Sequence, residues 1–479
     1  VGSSTAPCKV LPKCNPAAIN KLPPPLASKL AEWDRVVSSV VQEKGNPPVH
    51  LAIVSDQDVI WSRGYGSKTG KGQDTPDLDT AFRIGSVSKV FTTLQMLALR
   101  DQGKVDLHTP VASVEPNFKI KNPYNGQVRY EHLATHMAGL PREEPCVDVF
   151  VHGCSLSDDA IYSRLANESL VMAPGVMPSY SNVGFGLMGR SLERLTGEEW
   201  EQSIHKLYTD LGCTNAFNNM TQAPERNVAM GLMPDGSHAD LIDIGWEAPA
   251  GQTFASTHDL AKLMALLFRG DASPPADDVV SAETIRDWLK PRYIFPDGTG
   301  FGLVWEILKN GNYTLYTKGG AINGYLTTFV TLPELKFGVI VLYGMSDGEG
   351  FGQIVNGMAD LFPTVDELMR ENPVPVHYPD YADAIVGTYT SEGGSLRISY
   401  DADVGYSLNM GVSTVLSLEF RDGVVWETSF RNTPDHNCMS ESGGMIQYVE
   451  FSVQGGRVLS LEMPGLYYGT RWTKQTALQ

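Results

Sequence analysis

Apolar positions along the chain recur at two spacings, and where they stop recurring the chain is rich in Pro and Gly. Residues 1–25 show no periodic pattern, are rich in Pro and Lys and end in Leu22-Pro-Pro-Pro-Leu26, an extended arm. From about Ala27 to Gln42, Leu30, Val36, Val37 and Val40 fall partly at helical spacing. His50–Ile53 and Val59–Trp61 flank Asp56-Gln57-Asp58 and predict a hairpin. Ser86 to Arg100 predicts a strong helix, with Val90, Phe91, Leu94, Leu97 and Ala98 on one face and Gly103 where it ends. Residues 105–300 mix helices with long Pro/Gly loops. Phe301–Ile307, Thr314–Lys318, Thr327–Leu332 and Phe337–Tyr343 then read as consecutive strands, followed by a helix near Gly352–Leu361.

Pro363, Pro373, Pro375 and Pro379 mark a linker, placed at 366–380. From about Tyr381 short alternating segments with Gly and Asp turns take over, such as Gly387–Tyr389, Ser395–Ser399, Gly423–Trp426 and Gln447–Phe451. Residues 381–479 therefore predict a small all-β barrel or sandwich. The body, 26–365, mixes helices and antiparallel strands in an α+β arrangement. No internal repeat is visible.

Composition is that of a globular protein, 42% hydrophobic and 19% charged. A net charge of −18 without a basic run argues against binding nucleic acid. The longest apolar runs, such as Phe337–Tyr343, are too short to span a bilayer. Val1 in place of Met fits a processed chain, and equally a trimmed one. Two cysteine pairs lie close together in sequence, Cys8/Cys14 and Cys146/Cys154, which predicts two local disulfides and leaves Cys213 to pair with Cys438. Disulfides, with N-x-[ST] sequons at Asn167, Asn219 and Asn312, lead us to expect a secreted, glycosylated protein.

The candidate chemistry begins at Ser86-Val-Ser-Lys89. At a helix start, residues i and i+3 share a face, so a hydroxyl stands beside an amine that can activate it. Alone, the pair is also what an N-capping serine and a solvated lysine produce, and Ser203-Ile-His-Lys206 repeats it in an ordinary amphipathic helix. Downstream, however, come Tyr180-Ser-Asn182 and then Lys318-Gly-Gly-Ala321. The order Ser-x-x-Lys, Tyr-x-Asn, Lys-x-Gly resembles class C β-lactamases, DD-peptidases and related serine esterases. Phe82–Lys89, Gly103–Leu107, His132–Pro141, Ala250–Leu260 and Phe301–Trp305 resemble further segments of the same superfamily, so that the resemblance covers roughly 30–362. Lys68-Thr-Gly70 lies upstream of Ser86, in the wrong order for the third motif; Gly66–Lys71 is too short for a phosphate loop; and His132 and His136 lack the intervening Glu of a zinc protease, which leaves them as structural or supporting histidines.

The resemblance implies an antiparallel sheet flanked by helices with a helical subdomain, followed by a lipocalin-like barrel. It implies a serine hydrolase acting on an ester, amide or peptide bond through an acyl-enzyme, with no metal or cofactor and a small-molecule or peptide substrate. An acyltransferase, or an inactive binding protein of the same fold, are the alternatives. Ser86 would be the nucleophile. Lys89, Tyr180 and Lys318 would surround it, with either Tyr180 or Lys89 as base. Asn182 would hold Lys89 and a substrate amide, and the backbone N–H of Ala321, after Gly320, would complete the oxyanion hole with that of Ser86. Gly319 departs from the β-lactamase pattern, which has Thr or Ser there, and argues against efficient β-lactam hydrolysis. Residues from about 380 onward are expected to supply no catalytic group.

Overall fold

The structure is a computed structural model that describes Ile19 and residues 22–143, 145–146, 148–269, 279–310, 313–372, 378–392, 394–401, 405–410, 415–422, 424–430, 447–463 and 471–475. The chain forms two compact units that divide between residues 372 and 373.

In the larger unit, β1 (Val49–Ser55) and β2 (Asp58–Tyr65) form the expected hairpin. β3 (Phe82–Arg83) and β4 (Phe254–Ala255) pair in a separate short ladder. β5 (Pro291–Ile294), β6 (Gly300–Gly302), β7 (Glu306–Asn310), β8 (Tyr313–Ile322), β9 (Tyr325–Leu332) and β10 (Phe337–Tyr343) join the hairpin in an antiparallel sheet ordered β2-β1-β10-β9-β8-β7-β6-β5. Both β1 and β10 are buried throughout, because both faces of the sheet are covered. Leu51, Ile53, Val339 and Val341 pack with Trp33 and Val37 of the Pro24–Glu43 helix. Ala52, Val54, Ile340 and Leu342 face the opposite core, with Phe91, Leu94 and Leu260. Side chains alternate across a strand, so a doubly covered strand reads as one continuous apolar run.

Several boundaries differ from expectation. The first helix starts at Pro24, inside the 1–25 stretch expected to be an extended arm, because proline is tolerated in a helix's first turn and Leu26 is buried in the core. The strand expected over 301–307 is broken between β6 and β7, where Val304 takes a left-handed φ of 71° and donates its N–H to the Ala134 carbonyl. The single helix expected near 352–361 is two helices, Gly348–Gly357 and Leu361–Glu371. Asp347 caps the first by accepting from the Gly350 N–H at 3.1 Å, which moves its start upstream. The second buries Leu361, Phe362, Val365, Leu368 and Met369, and so occupies the first part of the stretch read as a linker.

The smaller unit is a closed barrel of eight antiparallel strands, from Gly387–Ser391 to Arg471–Lys474, each paired with the next and the last with the first. Tyr389, Ile398, Leu408, Trp426 and Phe451 fill its interior.

The Cys146–Cys154 disulfide forms as expected. Cys213 is a buried thiol 3.5 Å from the Asp259 carbonyl oxygen; its expected partner Cys438, together with Cys8, Cys14 and Asn312, lies outside the described residues. Among the described residues no helix is long and apolar enough to cross a membrane.

Candidate active site

Ser86 lies not in the first turn of the helix but in a tight 3-10 turn, Gly85–Val87, that runs into the Ser88–Asp101 helix. Long-range bonds pin this turn. Just before it, Phe82 and Arg83 pair with Ala255 and Phe254, and the Ile84 N–H donates to Thr253 O at 3.0 Å. Buried Ser88 donates to Gly85 O and accepts from the Thr253 N–H. Gly85 has a φ of +51°, in the left-handed region that glycine tolerates.

The edge of β8 comes up against this turn. β7 pairs with β8 only as far as Thr317, so Lys318 to Ala321 keep β9 on one side and leave the other edge to Ser86. The approach is close enough to require glycine. A Cβ on Gly85 would stand 2.8 Å from Ala321 N, and one on Gly320 would stand 2.0 Å from Ile84 O and 3.2 Å from Ser86 N. The N–H groups of Ser86 and Ala321 thus belong to two backbone segments in direct contact. At Gly319, by contrast, nothing lies within 4 Å of where a Cβ would be.

Lys89 is fully buried, and its Nζ donates to Ser86 Oγ at 3.0 Å and to Ala250 O at 2.6 Å. Lys318, from β8, is also buried and is paired with Glu306 of β7 at 2.5 Å. Tyr180 lies between them, with Lys89 Nζ 5.1 Å and Lys318 Nζ 4.9 Å from its ring centre. Burial alone would raise the phenol's pKa, but the Lys89 and Lys318 charges, helped by hydrogen bonds from Ser86 and Lys89, outweigh it and bring Tyr180 down to about 8. A unit charge at about 5 Å and an effective dielectric near 20 is worth roughly 3 kcal/mol. The net lowering is of the same order, so burial offsets part of what the two lysines and the hydrogen bonds supply. Lys89 is itself lowered, first by burial, while Lys318 is raised because Tyr180 and Glu306 outweigh burial.

Ser86, Tyr180, Asn182, Lys318, Gly319, Gly320 and Ala321 all line one cavity of about 660 Å³, and buried Lys89 reaches it through its hydrogen bond to Ser86 Oγ. The sequence reading placed Asn182 wrongly in one respect. Its Nδ2 donates to Glu143 at 3.1 Å and its buried Oδ1 has no hydrogen-bond partner among the described residues, so it does not hold Lys89. The Lys89 ammonium turns instead to Ser86 and to the turn containing Ala250.

Four other residues belong to the site. His136, set aside in the sequence reading as structural or supporting, stacks on Tyr180 with ring centres 4.0 Å apart. Its Nδ1 accepts the Ser181 N–H at 3.2 Å, and burial with three nearby cations (Lys318, Lys89 and Arg142) holds it neutral. Glu306 directly follows the Phe301–Trp305 segment, yet only the β7–β8 pairing shows it as the Lys318 counter-ion. Arg142 and Glu143 line the cavity one step past the His132–Pro141 motif. Ser203 of the repeated Ser-x-x-Lys is buried and accepts from Gln95 at 2.7 Å, while Lys206 pairs with Glu198, so that copy carries no site.

The Beta-lactamase family model matches residues 33–353. The chain is 28% identical over 418 residues to "Beta-lactamase-like protein 2" of Dictyostelium discoideum, covering 80% of this chain and 75% of that one. It is 25% identical over 363 residues to the "D-alanyl-D-alanine-carboxypeptidase/endopeptidase AmpH" of Escherichia coli (strain K12), covering 72% and 90%. Among solved structures, the octameric penicillin-binding protein homologue from Pyrococcus abyssi shares the fold, with a TM-score of 0.61 at 23% identity over 93% of this chain and all of that one.

With the phenol at about 8, the rate at which a small fluorophosphonate labels Ser86 should rise about tenfold per pH unit below 8, level off above it, and decline only where Lys89 loses its proton. Tyr180→Phe should lose this limb. A flat profile between pH 6 and 9 in the wild type would rule out Tyr180 as the group that titrates.

Proposed function

We propose that this chain, which belongs to the Beta-lactamase family of hydrolases, is a serine hydrolase that cleaves a small ester, amide or peptide bond through an acyl-enzyme on Ser86. The observation that carries the reading is the Ser86 hydroxyl 3.0 Å from a buried lysine, at a cavity wall that also presents Tyr180, Lys318 and the edge of β8. As Ser86 Oγ attacks the carbonyl carbon, its proton passes to the Tyr180 phenolate and the carbonyl π pair moves onto oxygen, facing the N–H groups of Ser86 and Ala321. When the carbonyl reforms, the leaving group departs with the proton from Tyr180. Water then repeats the sequence to release the acid. Lys89 and Lys318 stay charged throughout and hold the phenol near its working pKa.

A peptide containing D-residues is supported by the carboxypeptidase/endopeptidase name of one relative. The Cys146–Cys154 disulfide supports an oxidising compartment.

Mass spectrometry after fluorophosphonate treatment should find the adduct on the peptide that holds Ser86, and Ser86→Ala should abolish it. An adduct elsewhere, with Ser86→Ala still active, would overturn the assignment.

Gly319 supplies no hydroxyl for a substrate carboxylate, so turnover of a chromogenic cephalosporin should be slow. Because space is open around its Cα, Gly319→Thr should raise the cephalosporin acylation rate, by at least about tenfold if the new hydroxyl makes one charge-assisted hydrogen bond. Fast turnover by the unmodified protein, or no gain in the variant, would contradict this.

A further inference from the structure

Glu247 is a buried acid that the chemistry above does not use. Its side chain is fully buried, and neither carboxyl oxygen has a hydrogen-bond partner among the described residues. A buried carboxyl without a partner is costly and calls for an explanation.

Its position supplies one. Glu247 ends the 3-10 turn Gly245–Glu247, which runs directly into Ala248–Gly251. Within that second turn Ala250 O takes the 2.6 Å hydrogen bond from Lys89 Nζ, and Pro249 O accepts from Thr92 Oγ1 at 2.8 Å, three residues further along the nucleophile's helix. The turn cannot slide away. Gly245 lies so close to Cys154 O that a Cβ would stand 2.2 Å from it, and Trp246 lies against Gly186 of the Asn182–Thr196 helix, where a Cβ would stand 2.5 Å from the indole. The acid is thus clamped where the floor beneath Lys89 begins. Two charged groups act on it, Lys89 from the nucleophile's helix and Glu143 from the cavity wall; beyond Lys89 stand Tyr180 and Lys318.

We propose that Glu247 is a positioning residue: as a carboxylate it holds Lys89 in its ammonium form and so keeps the proton acceptor at Tyr180 rather than at Lys89. This rests on the acyl-enzyme reading, with Tyr180 as the proton acceptor. Burial, with a smaller push from Glu143, outweighs the pull of Lys89 and raises Glu247 to about 8. The sign follows. Below that pH the acid is neutral and adds no charge beside Lys89, whose ammonium burial already disfavours. Above it the new anion favours the ammonium when solution would otherwise strip it. Glu247 therefore extends the alkaline range in which Lys89 can depress Tyr180.

The test is the pH profile of fluorophosphonate labelling of the full chain, for wild type, Glu247→Gln and Glu247→Asp, with thermal melting as a check of folding. Glu247→Gln mimics the protonated acid. It should match the wild type within about twofold at pH 6.5, while its alkaline decline should set in roughly one pH unit earlier, the size of effect one nearby charge produces. Glu247→Asp keeps the charge at a shorter reach and should fall between the two. Coincident profiles, or an equal loss at every pH, would overturn the proposal, as would failure of both variants to fold. A wild type that is not labelled at Ser86 would instead refute the acyl-enzyme reading itself.

Discussion

Two ammonium groups buried on either side of one phenol are the constraint on which this site depends. A charge in a protein interior must be paid for by partners, and the sheet and helices here supply them one by one. Lys318 takes Glu306 from the neighbouring strand. Lys89 takes Ser86 Oγ and a carbonyl from the Ala248–Gly251 turn. His136 stays neutral against the phenol's face, so that it adds stacking without adding a charge to those of Lys89, Lys318 and Arg142, whose guanidinium lies 4.9 Å from the ring centre. What remains of the two lysines' field, after burial has taken its share, lowers the phenol into the range where it can accept a proton from serine.

The same need explains the backbone. The proposed reaction needs donors for the developing oxyanion as well as a phenolate, and the proposal assigns them to segments more than 200 residues apart in sequence, at Ser86 and Ala321. β7 stops pairing at Thr317 and frees the edge of β8, and the β3–β4 ladder fixes the turn that meets it. Gly85 and Gly320 then permit an approach that any side chain would block.

What was legible in the sequence was whatever chemistry confines to a short stretch. Ser86 and Lys89 are three apart on one helical face, and Tyr180, Lys318 and the glycines around 320 stand in recognisable order. The hairpin, β9, β10 and the existence of the barrel were readable from alternation and turn residues. Partnerships made by tertiary packing were not. Asn182 turns to Glu143 because a loop brings that carboxylate to it, and Glu247 comes within electrostatic reach of Lys89 only after two helices and a disulfide loop have closed around its turn. The break at Val304 and the extension of helix to Glu371 likewise depend on the Ala134 carbonyl and on a hydrophobic face supplied by the rest of the body.

The most direct test is the ionisation of Tyr180 itself, followed by the Cζ resonance of ¹³C-labelled tyrosine and assigned by its loss in Tyr180→Phe. The account predicts a titration near pH 8 in the wild type. In Lys318→Met, where one charge worth roughly 3 kcal/mol is gone, the midpoint should move up by about two pH units. A Tyr180 that stays protonated to pH 10 in the wild type, or that titrates unchanged without Lys318, would contradict the account.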